Sequence, residues 1–332
     1  MDKSGLRQQN ISLLRRTLKE LRLATKPQLA EASGLSVVTV NSLLKELVEQ
    51  DEAQALTEAS STGGRPATQY QFQAERRLAL VGYMYEQAGA DQLYIMLINL
   101  LGEPLTLLQE KFPAARVDMD FLVGIFQPYL QQYPAISTIL IGLPGVETAG
   151  RLNVVDYPAL MDCAFSEEMS SRLGKPVQMV NDINATVVGL GASLGPDSQR
   201  ETVLGIYWPQ HYPPGAGILI QGQLYTGRDG MAGEIGHRFG HPGRIKPPVS
   251  HQAEVMEMTE LLTRMWNPHR LVFYDEQLTD TALAEIQSGC SGRIPARFLP
   301  KLSLRTSIHQ DYRRGMCLLA GSLLENGRIL DE

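Results

Sequence analysis

The N-terminal part of the chain takes its fold from the segment TKPQLAEASGLSVVTVNSLLKELVEQ, residues 25–50. Thr25 and Gln28 have the spacing of a capping box, in which each side chain satisfies a backbone amide at the start of a helix. Pro27 is tolerated in a first turn, where its missing N–H would have no partner. Together these residues predict a short helix over residues 26–33.

A tight turn and a second helix follow this first one. Gly34 suits the turn, because glycine adopts positive φ at little cost. Ser36 can cap a helix over residues 37–50. Apolar side chains at helical spacing predict its buried face, which comprises Val37, Val40, Leu44 and Leu47. A short helix, a glycine turn and a capped helix form the pattern of a helix-turn-helix.

The second helix of this pattern carries the candidate DNA contacts. In a helix-turn-helix, the N-terminal part of the second helix faces base edges in the major groove. Most side chains there are small and polar, as a groove-facing surface requires. The candidates are Ser36, Val38, Thr39, Asn41, Ser42 and Lys45. A small three-helix bundle without a role in DNA binding remains the alternative.

The segments on either side extend this domain. Residues 8–23 predict an amphipathic helix, because Ile11, Leu14, Leu18 and Leu21 recur at helical spacing. On the other side, residues 53–57 and 68–73 can form strands around EASSTGGRPA, which predicts a hairpin of the kind that forms the wing of a winged helix. Its tip offers Arg65 and free backbone amides, which suit phosphates or the minor groove. The alternative is a flexible linker.

The distribution of charge places any DNA contact in this N-terminal part. The 332 residues carry a net charge of −6. Residues 1–74 hold nine basic and eight acidic side chains, against 21 basic and 28 acidic ones in the remainder. The remainder is therefore acidic and would not attract nucleic acid.

Composition excludes several classes of protein. No run of 18 apolar residues exists, so we expect no membrane contact. The first residues, MDKSGLRQQN, lack the apolar core of a signal peptide. Cys163, Cys290 and Cys317 lie far apart and form no CxxC pair, which argues against a disulfide framework. We expect a cytoplasmic protein.

From Leu78 onward the chain alternates strands, turns and helices. The strand-like segments LALVGYMY, DQLYIMLINL and EPLTLLQEKF come first. Helices predicted over residues 118–132 and near 165–173 precede the apolar strands ISTILIGL and PVQMV, and a further helix is predicted over residues 182–194. Meandering strands followed by alternating strands and helices indicate the α/β class.

Several segments resemble the repressor–ORF–kinase (ROK) family, whose regulators join a winged helix to a domain like a sugar kinase. The helix-turn-helix segment and STGGRPA resemble the DNA-binding half of these regulators, including the N-acetylglucosamine and xylose repressor types. ILIGLPGVE, RLGKPVQMVNDINATVVGLGASLG, GAGILIQGQLYTGRDGMAGEIGH and DYRRGMCLLAGSLL resemble segments of the other half. The resemblance covers nearly the whole chain and is weakest over residues 238–300.

The resemblance implies an α/β protein in which an N-terminal winged helix-turn-helix is joined to a two-lobed ribonuclease-H-like (actin-type sugar kinase) domain. The winged helix would span residues 1–75 and the ROK-like sugar-binding domain residues 76–332. One lobe would hold residues 76–181 together with 310–330, and the other would hold about 182–309.

The segments that correspond to the ATP-binding turns of the family's kinases are altered. Phosphoryl transfer relies on backbone turns around the phosphates, a metal and a base. The first turn, Asp-x-Gly-x-Thr, corresponds to GYMYEQAGAD, which lacks that aspartate and any Gly-x-Thr. The second, Gly-Thr-Gly-x-Gly, corresponds to YWPQHYPPGAG, where proline removes amide donors. DEQL replaces the glycines expected after RLVFY. We predict no kinase activity and no cofactor.

The sugar-binding positions implied by the resemblance are retained. Asn181 and Asp182 match the Asn-Asp pair that binds sugar hydroxyls, and Glu234 and His237 match the second sugar-contacting pair. Glu254 is the candidate for a further glutamate. A carboxylate beside an amide supplies the acceptors and donors that a polyol requires. The alternatives are a helix N-terminal role for Asp182 and a hydrogen-bonded core position for His237.

The zinc site of the family is missing from the sequence. In the family a Cys-x-Cys-Gly-x-x-Gly-Cys run follows the Gly-His pair, whereas GHRFGHPGRIKPPVSHQAEVMEM contains no cysteine. His237, His241 and His251 remain. Without thiolates we expect no structural zinc.

These features predict a transcription regulator, expected to be a repressor, that binds a DNA operator and responds to a sugar or sugar phosphate. We expect at least a homodimer, because one recognition helix reads few base pairs and a dimer spans two half-sites. Two alternatives remain open. The large domain could respond to a protein partner, or the chain could be an active ATP-dependent sugar kinase with an added DNA-binding domain.

Overall fold

The computed structural model describes residues 3–57, 68–113, 116–236 and 250–329. The chain divides into two compact units: unit 1 comprises Met1–Leu78 with Asn99–Leu101, and unit 2 comprises Ala79–Ile98 with Gly102–Glu332. Of the helices in the described residues, none combines the length and hydrophobicity that crossing a bilayer requires.

The described residues of unit 1 form three helices and one antiparallel three-stranded sheet. These elements are α1 (Lys3–Leu21), β1 (Leu23–Thr25), α2 (Lys26–Ser33), α3 (Val37–Glu49), β2 (Ala53–Thr57) and β3 (Thr68–Phe72). The strand order is β1–β3–β2. The fully buried leucines of the three helices supply much of the core of the unit: Leu14, Leu18, Leu29, Leu44 and Leu47.

The local signals at the ends of α2 and α3 are present as predicted. The Gln28 Oε1 atom accepts hydrogen bonds from the Thr25 N–H at 2.8 Å and from the Thr25 hydroxyl at 3.0 Å. Gly34 adopts φ +70° in the turn. The Ser36 hydroxyl caps α3 by accepting from the Thr39 N–H at 3.1 Å. These contacts fix the two helices at the positions that the sequence predicts.

Two details of unit 1 differ from the prediction. The first helix spans Lys3–Leu21 and not 8–23. It begins earlier than predicted, and it ends at Leu21 because Arg22 has φ +63° and leaves the helical conformation before β1 begins. Val37 is 50% exposed, whereas the unpredicted Leu43 is 3% exposed. Val37 is the first residue of α3 and lies beyond the buried stripe, which consists of Val40, Leu43, Leu44 and Leu47.

Unit 2 is built on two five-stranded mixed sheets with the orders β10–β7–β4–β5–β6 and β13–β12–β11–β14–β15, and a separate β8–β9 pair. The strands are β4 (Leu78–Gln87), β5 (Ala90–Ile98), β6 (Pro104–Phe112), β7 (Ile136–Leu143), β8 (Gly145–Thr148), β9 (Arg151–Val155), β10 (Val177–Asn181), β11 (Thr202–Trp208), β12 (Gly215–Ile220), β13 (Gln223–Leu224), β14 (Arg270–Asp275) and β15 (Lys301–Arg305). Parallel pairing joins β7 with β10 and joins β14 with both β11 and β15. Antiparallel pairing joins β4, β5 and β6.

The described helices of unit 2 pack with these sheets. They are α4 (Met119–Gln132), α5 (Phe165–Leu173), α6 (Asp182–Leu194), α7 (His251–Trp266), α8 (Asp280–Ser291) and α9 (His309–Asn326). The predicted helices over residues 118–132, near 165–173 and 182–194 are therefore confirmed. Asp118 caps α4, because its carboxylate accepts from the Phe121 N–H at 2.8 Å.

Two glycines let α6 and α9 approach backbone to backbone. A Cβ atom placed on Gly189 would lie 1.9 Å from the carbonyl oxygen of Asp311. A Cβ atom placed on Gly315 would lie 1.8 Å from the carbonyl oxygen of Ala185. This contact holds α6, which starts at the candidate sugar-binding pair, in a fixed position within unit 2.

Candidate functional site

A cavity of about 300 Å³ in unit 2 collects the segments named from the sequence. Its lining comes from six places in the chain. They are the end of β4, the β7–β8 connection, the end of β9 with the residues after it, the boundary between β10 and α6, the β11–β12 connection, and residues 234–236. This volume is at the lower end of the range of about 300–1,000 Å³ found for small-molecule pockets. The cavity therefore suits a ligand of monosaccharide size.

Asn181 and Asp182 lie at the point where β10 gives way to α6, and both line the cavity. The Asn181 Oδ1 atom caps α6 by accepting from the Asn184 N–H at 3.0 Å, and its Nδ2 atom donates to the Gly145 carbonyl at 3.3 Å. These bonds fix the orientation of the amide group.

Asp182 combines a helix N-terminal position with a place at the cavity. Its Oδ1 atom accepts from the Ile183 N–H at 2.8 Å. Burial, with a contribution from the Glu234 carboxylate, raises the pKa of Asp182 to about 7. Asp182 therefore fits the helix N-terminal alternative and also lines the cavity.

Glu234 reaches the same cavity from a tight turn. Gly233 has φ +98°, and a Cβ atom placed on it would lie 1.7 Å from the carbonyl oxygen of Ala216. The Ala216 N–H donates to the Gly233 carbonyl at 2.9 Å. This close approach to β12 places Glu234 in the lining, and burial raises the pKa of its carboxyl group.

Two further residues were predicted for the sugar site, His237 and Glu254. His237 and His241 lie outside the described residues. Glu254 lies in the first turn of α7 and is not among the described residues that line the cavity. The Nε2 atom of His251 lies 2.6 Å from Asp275 Oδ2, and the His251 ring meets Trp208 edge-on.

Two acidic residues of the lining were not predicted from the sequence. Glu86 is the second-last residue of β4 and lies within the segment of the altered first turn. Asp156 follows β9, and burial together with the carboxylates of Asp182 and Glu234 raises its pKa to about 8. The signal that could have found Asp156 is a single carboxylate between apolar residues at the end of a strand, in VVDYP.

Tyrosines form much of the remaining wall, which includes Tyr85, Tyr157, Tyr207 and Tyr212. The Tyr212 hydroxyl lies 3.3 Å from both carboxylate oxygens of Asp91. The Tyr157 ring meets the Tyr212 ring edge-on with 6.4 Å between centroids. Carboxylates accept hydrogen bonds from hydroxyl groups and aromatic rings cover apolar faces, so this lining can hold a polyol ring.

The three segments that correspond to the family's ATP-binding turns meet at one place. The Glu276 carboxylate accepts from the Ala88 N–H at 3.2 Å and from Gln210 Nε2 at 3.1 Å. The Glu86 carboxylate accepts from the His211 N–H at 3.0 Å. We call Glu86, Ala88, Gln210, His211 and Glu276 the junction. The cavity beside it measures only about 10 Å³.

No three His, Cys, Asp or Glu side chains within the described ranges are arranged to hold a metal ion. The described cysteines Cys163, Cys290 and Cys317 are free thiols, and burial raises the pKa of each.

The candidate DNA contacts of unit 1 lie on an accessible face of α3. Val38 is 81% exposed, Ser36, Ser42 and Lys45 are also exposed, and Thr39 and Asn41 are partly exposed. The Asn41 Oδ1 atom accepts from Lys26 Nζ at 2.5 Å, which links α3 to α2. Arg65 lies outside the described residues.

Comparisons with known proteins agree with this fold. Residues 87–245 match the model of the ROK family. The DNA-binding transcriptional dual regulator NagC of Escherichia coli (strain K12) is 24% identical over 246 residues, which are 70% of this chain and 57% of NagC. The N-acetyl-D-glucosamine kinase of Vibrio cholerae serotype O1 is 28% identical over 123 residues, which are 36% of this chain and 39% of the kinase. The chain thus matches between about two fifths and three fifths of the length of these curated relatives.

One solved structure resembles the chain over almost its whole length. It is a ROK family transcriptional regulator described as a homolog of the E. coli MLC protein, and it superposes with a TM-score of 0.57 at 17% identity. The superposition covers 96% of this chain and 98% of that one. The predicted α/β, sugar-kinase-like fold is therefore confirmed, and the structure adds that its sheets are mixed. The chain resembles the ROK family over residues 87–245 and resembles the family's regulator NagC.

Proposed function

We propose that this chain is a DNA-binding transcription regulator, a repressor, whose ROK domain binds a sugar or sugar phosphate and does not phosphorylate it. The observation that carries the proposal is the contrast within unit 2. The cavity with Asn181, Asp182 and Glu234 has room for a sugar, whereas carboxylates occupy the junction where a kinase would hold phosphates.

The proposed sugar contacts are those of the cavity. The fixed amide of Asn181 and the carboxylates of Asp182 and Glu234 offer acceptors to several hydroxyl groups of one ring. His237 and Glu254 stay in this proposal as residues of the adjoining segments, with no contact assigned to them.

Charge and space support the proposed absence of kinase activity. A nucleotide triphosphate needs backbone amides or cations around its phosphates. At the junction the Ala88 and His211 amides already donate to the carboxylates of Glu276 and Glu86. Both carboxylates would repel a phosphate, and the neighbouring space of about 10 Å³ is too small for one. The relatives include a kinase as well as a regulator, so this point needs its own measurement.

The DNA-binding function is proposed for residues 1–75 as a winged helix-turn-helix, with residues 76–332 as the sugar-binding domain. The turn at Gly34, the capped helix α3 and the β2–β3 hairpin support this assignment. We propose that α3 enters the major groove and that a homodimer reads two half-sites.

Regulation is proposed as a shift between two conformations. The sugar favours one arrangement of the ROK domain, and the two arrangements differ in their affinity for the operator. A sugar that bound both arrangements equally would change nothing, so the effector must discriminate between them.

Thermal melting against a panel of sugars and sugar phosphates tests the sugar site. A ligand at 100 times its dissociation constant adds about 2.7 kcal/mol of stability, which raises the melting temperature by a few degrees. A coupled assay then measures ATP turnover with every sugar that binds. We expect at least one stabilising sugar and no turnover, and turnover above background would contradict the proposal.

Control by a protein partner is a second candidate, and the edge strand β6 favours it. This strand ends its sheet and exposes Leu105, Leu107 and Leu108 by 39–47%. An edge strand with exposed apolar side chains is a surface to which another chain can add. Capture of a partner on this strand that is insensitive to every sugar of the panel would favour this candidate.

A further inference from the structure

The charge of the cavity indicates which class of sugar it binds. Four carboxylates line it, namely Glu86, Asp156, Asp182 and Glu234. None of the described lining residues is a lysine, an arginine or a histidine. A phosphorylated sugar brings about −1.5 to −2 charges and needs cations or amide donors around them. The described lining surrounds such a phosphate with carboxylates and offers it no cation.

Among the described residues, three of these four carboxylates have no cation to balance them. Glu86 lies 2.8 Å from His211 Nδ1. Within the described ranges, Asp156, Asp182 and Glu234 form no ion pair. Burial and mutual repulsion raise the pKa values of Asp156 and Asp182 to about 8 and about 7. A bound cation would relieve this repulsion, because an opposite charge favours the ionised form of a carboxyl group.

The aromatic wall adds a second, independent feature. Tyr157 is fully buried and lines the cavity, and its hydroxyl lies near Asp91. This hydroxyl is one of the hydrogen-bonding groups that lower the pKa of the Asp91 carboxyl. Tyrosine rings beside carboxylates also attract organic ammonium groups through cation–π contacts.

Size and geometry narrow the choice of cation. The described residues provide no group of three or more His, Cys, Asp or Glu ligands for one metal ion. The volume of about 300 Å³ fits one monosaccharide and excludes a long polyamine or a peptide segment. An ammonium group attached to a sugar ring fits this volume and needs no three-ligand metal site.

We propose that the cavity binds a monosaccharide that carries a free, protonated amine and no phosphate group. This inference rests on the sugar site of the proposed function and names the ligand class of that site. The hydroxyl groups meet Asn181 and Asp182, and the ammonium group lies among the carboxylates of Asp156 and Glu234 and the ring of Tyr157.

Calorimetric titration of the full chain at pH 7 tests the inference. The probes are D-glucosamine, D-galactosamine and D-mannosamine, each compared with its parent hexose, its N-acetyl derivative and its 6-phosphate. We expect one of the amines to bind at least about tenfold more tightly than its three counterparts, the ratio expected for one charge-assisted hydrogen bond.

The other outcomes separate the inference from the proposed function. If a hexose, an N-acetyl derivative or a phosphate binds best, the amine inference is wrong and the sugar site stands. If no sugar of the panel binds, both the inference and the proposed sugar site are contradicted.

Matched variants connect the preference to the cavity. Asp156→Asn should lower the preference for the amine over its parent hexose by about tenfold. Glu167→Gln, an exposed residue of α5, serves as the control and should change neither. Should Asp156→Asn not fold, Glu234→Gln takes its place, with melting curves to report folding. Full amine preference in a folded cavity variant would overturn the inference.

Discussion

At the scale of single residues, Asp156 and Asp182 lie in surroundings that oppose their negative charge. Their pKa values in the folded chain, about 8 and about 7, exceed the ordinary value of 3.8. The folded state therefore keeps protons that the unfolded chain has already lost. The stability of the ligand-free protein consequently falls as the pH rises from about 4 to about 8, by up to about 1.4 kcal/mol per pH unit for each such proton.

Asp156→Asn removes one of the two groups that hold a proton in the folded chain but not in the unfolded chain. The variant should melt above the wild type without ligand, and the difference should widen from pH 4 to pH 8 and stay constant above that. Calorimetric melting across this range measures it, with Glu167→Gln as the control. A difference that does not change with pH would show that Asp156 titrates normally in the folded chain.

Lys45 is the exposed cation of the α3 face that the proposed function assigns to DNA. If it contacts a phosphate, Lys45→Ala should weaken binding equally for all sequences and lower the slope of log affinity against log salt by about one unit. Fluorescence anisotropy with operator and random DNA measures both quantities. Lys111→Ala, an exposed lysine of β6, is the control. Equal loss in both variants, or none in either, would contradict the role of Lys45.

At the scale of elements, helices and strands with strong local signals were predictable from the sequence. Ser36 and Gly34 mark the ends of α2 and α3 because caps and positive φ are local requirements. The end of α1 at Leu21 and the exposure of Val37 were not predictable, since both depend on how α1 and α3 meet their neighbouring segments.

The residues of the cavity also divide into those that the sequence predicted and those that it did not. Asn181, Asp182 and Glu234 were named from motifs, and the structure places all three in one lining. Glu86 and Asp156 were not named, because their place depends on sheet order and on strands distant in the sequence. The candidate contacts of His237 and Arg65 lie outside the described residues and remain predictions.

The contact between α6 and α9 depends on its glycines. Gly189→Ala would place a methyl group 1.9 Å from the Asp311 carbonyl oxygen, so two helix backbones must separate. Overpacking of this kind costs about 1–3 kcal/mol or more, and we expect a melting temperature lower by several degrees.

Gly124→Ala in α4 is the matched control, because an added Cβ atom there meets no atom within 4 Å. It should be neutral or stabilise the helix by about 0.4–1 kcal/mol. If Gly189→Ala is as stable as the Gly124 variant, the close packing of α6 against α9 is not as described.

At the scale of the whole molecule, the proposed regulation couples the affinity for the sugar to the affinity for the operator. Linkage makes this reciprocal: a sugar that weakens operator binding must itself bind more weakly to the operator-bound protein. Couplings of this kind are typically about 1–3 kcal/mol, or about 5-fold to 150-fold in affinity. The proposed repressor therefore needs a sugar site that is intact but distinct from its DNA-binding residues.

The most direct measurement is operator affinity by fluorescence anisotropy, with and without the stabilising sugar, for the wild type and for Asp182→Asn. The account predicts that the sugar weakens wild-type binding at least about fivefold. It also predicts that Asp182→Asn binds the operator normally without sugar and does not respond to it. An unchanged wild-type affinity in saturating sugar, or a full response in a folded Asp182→Asn variant, would contradict the proposal that this cavity controls DNA binding.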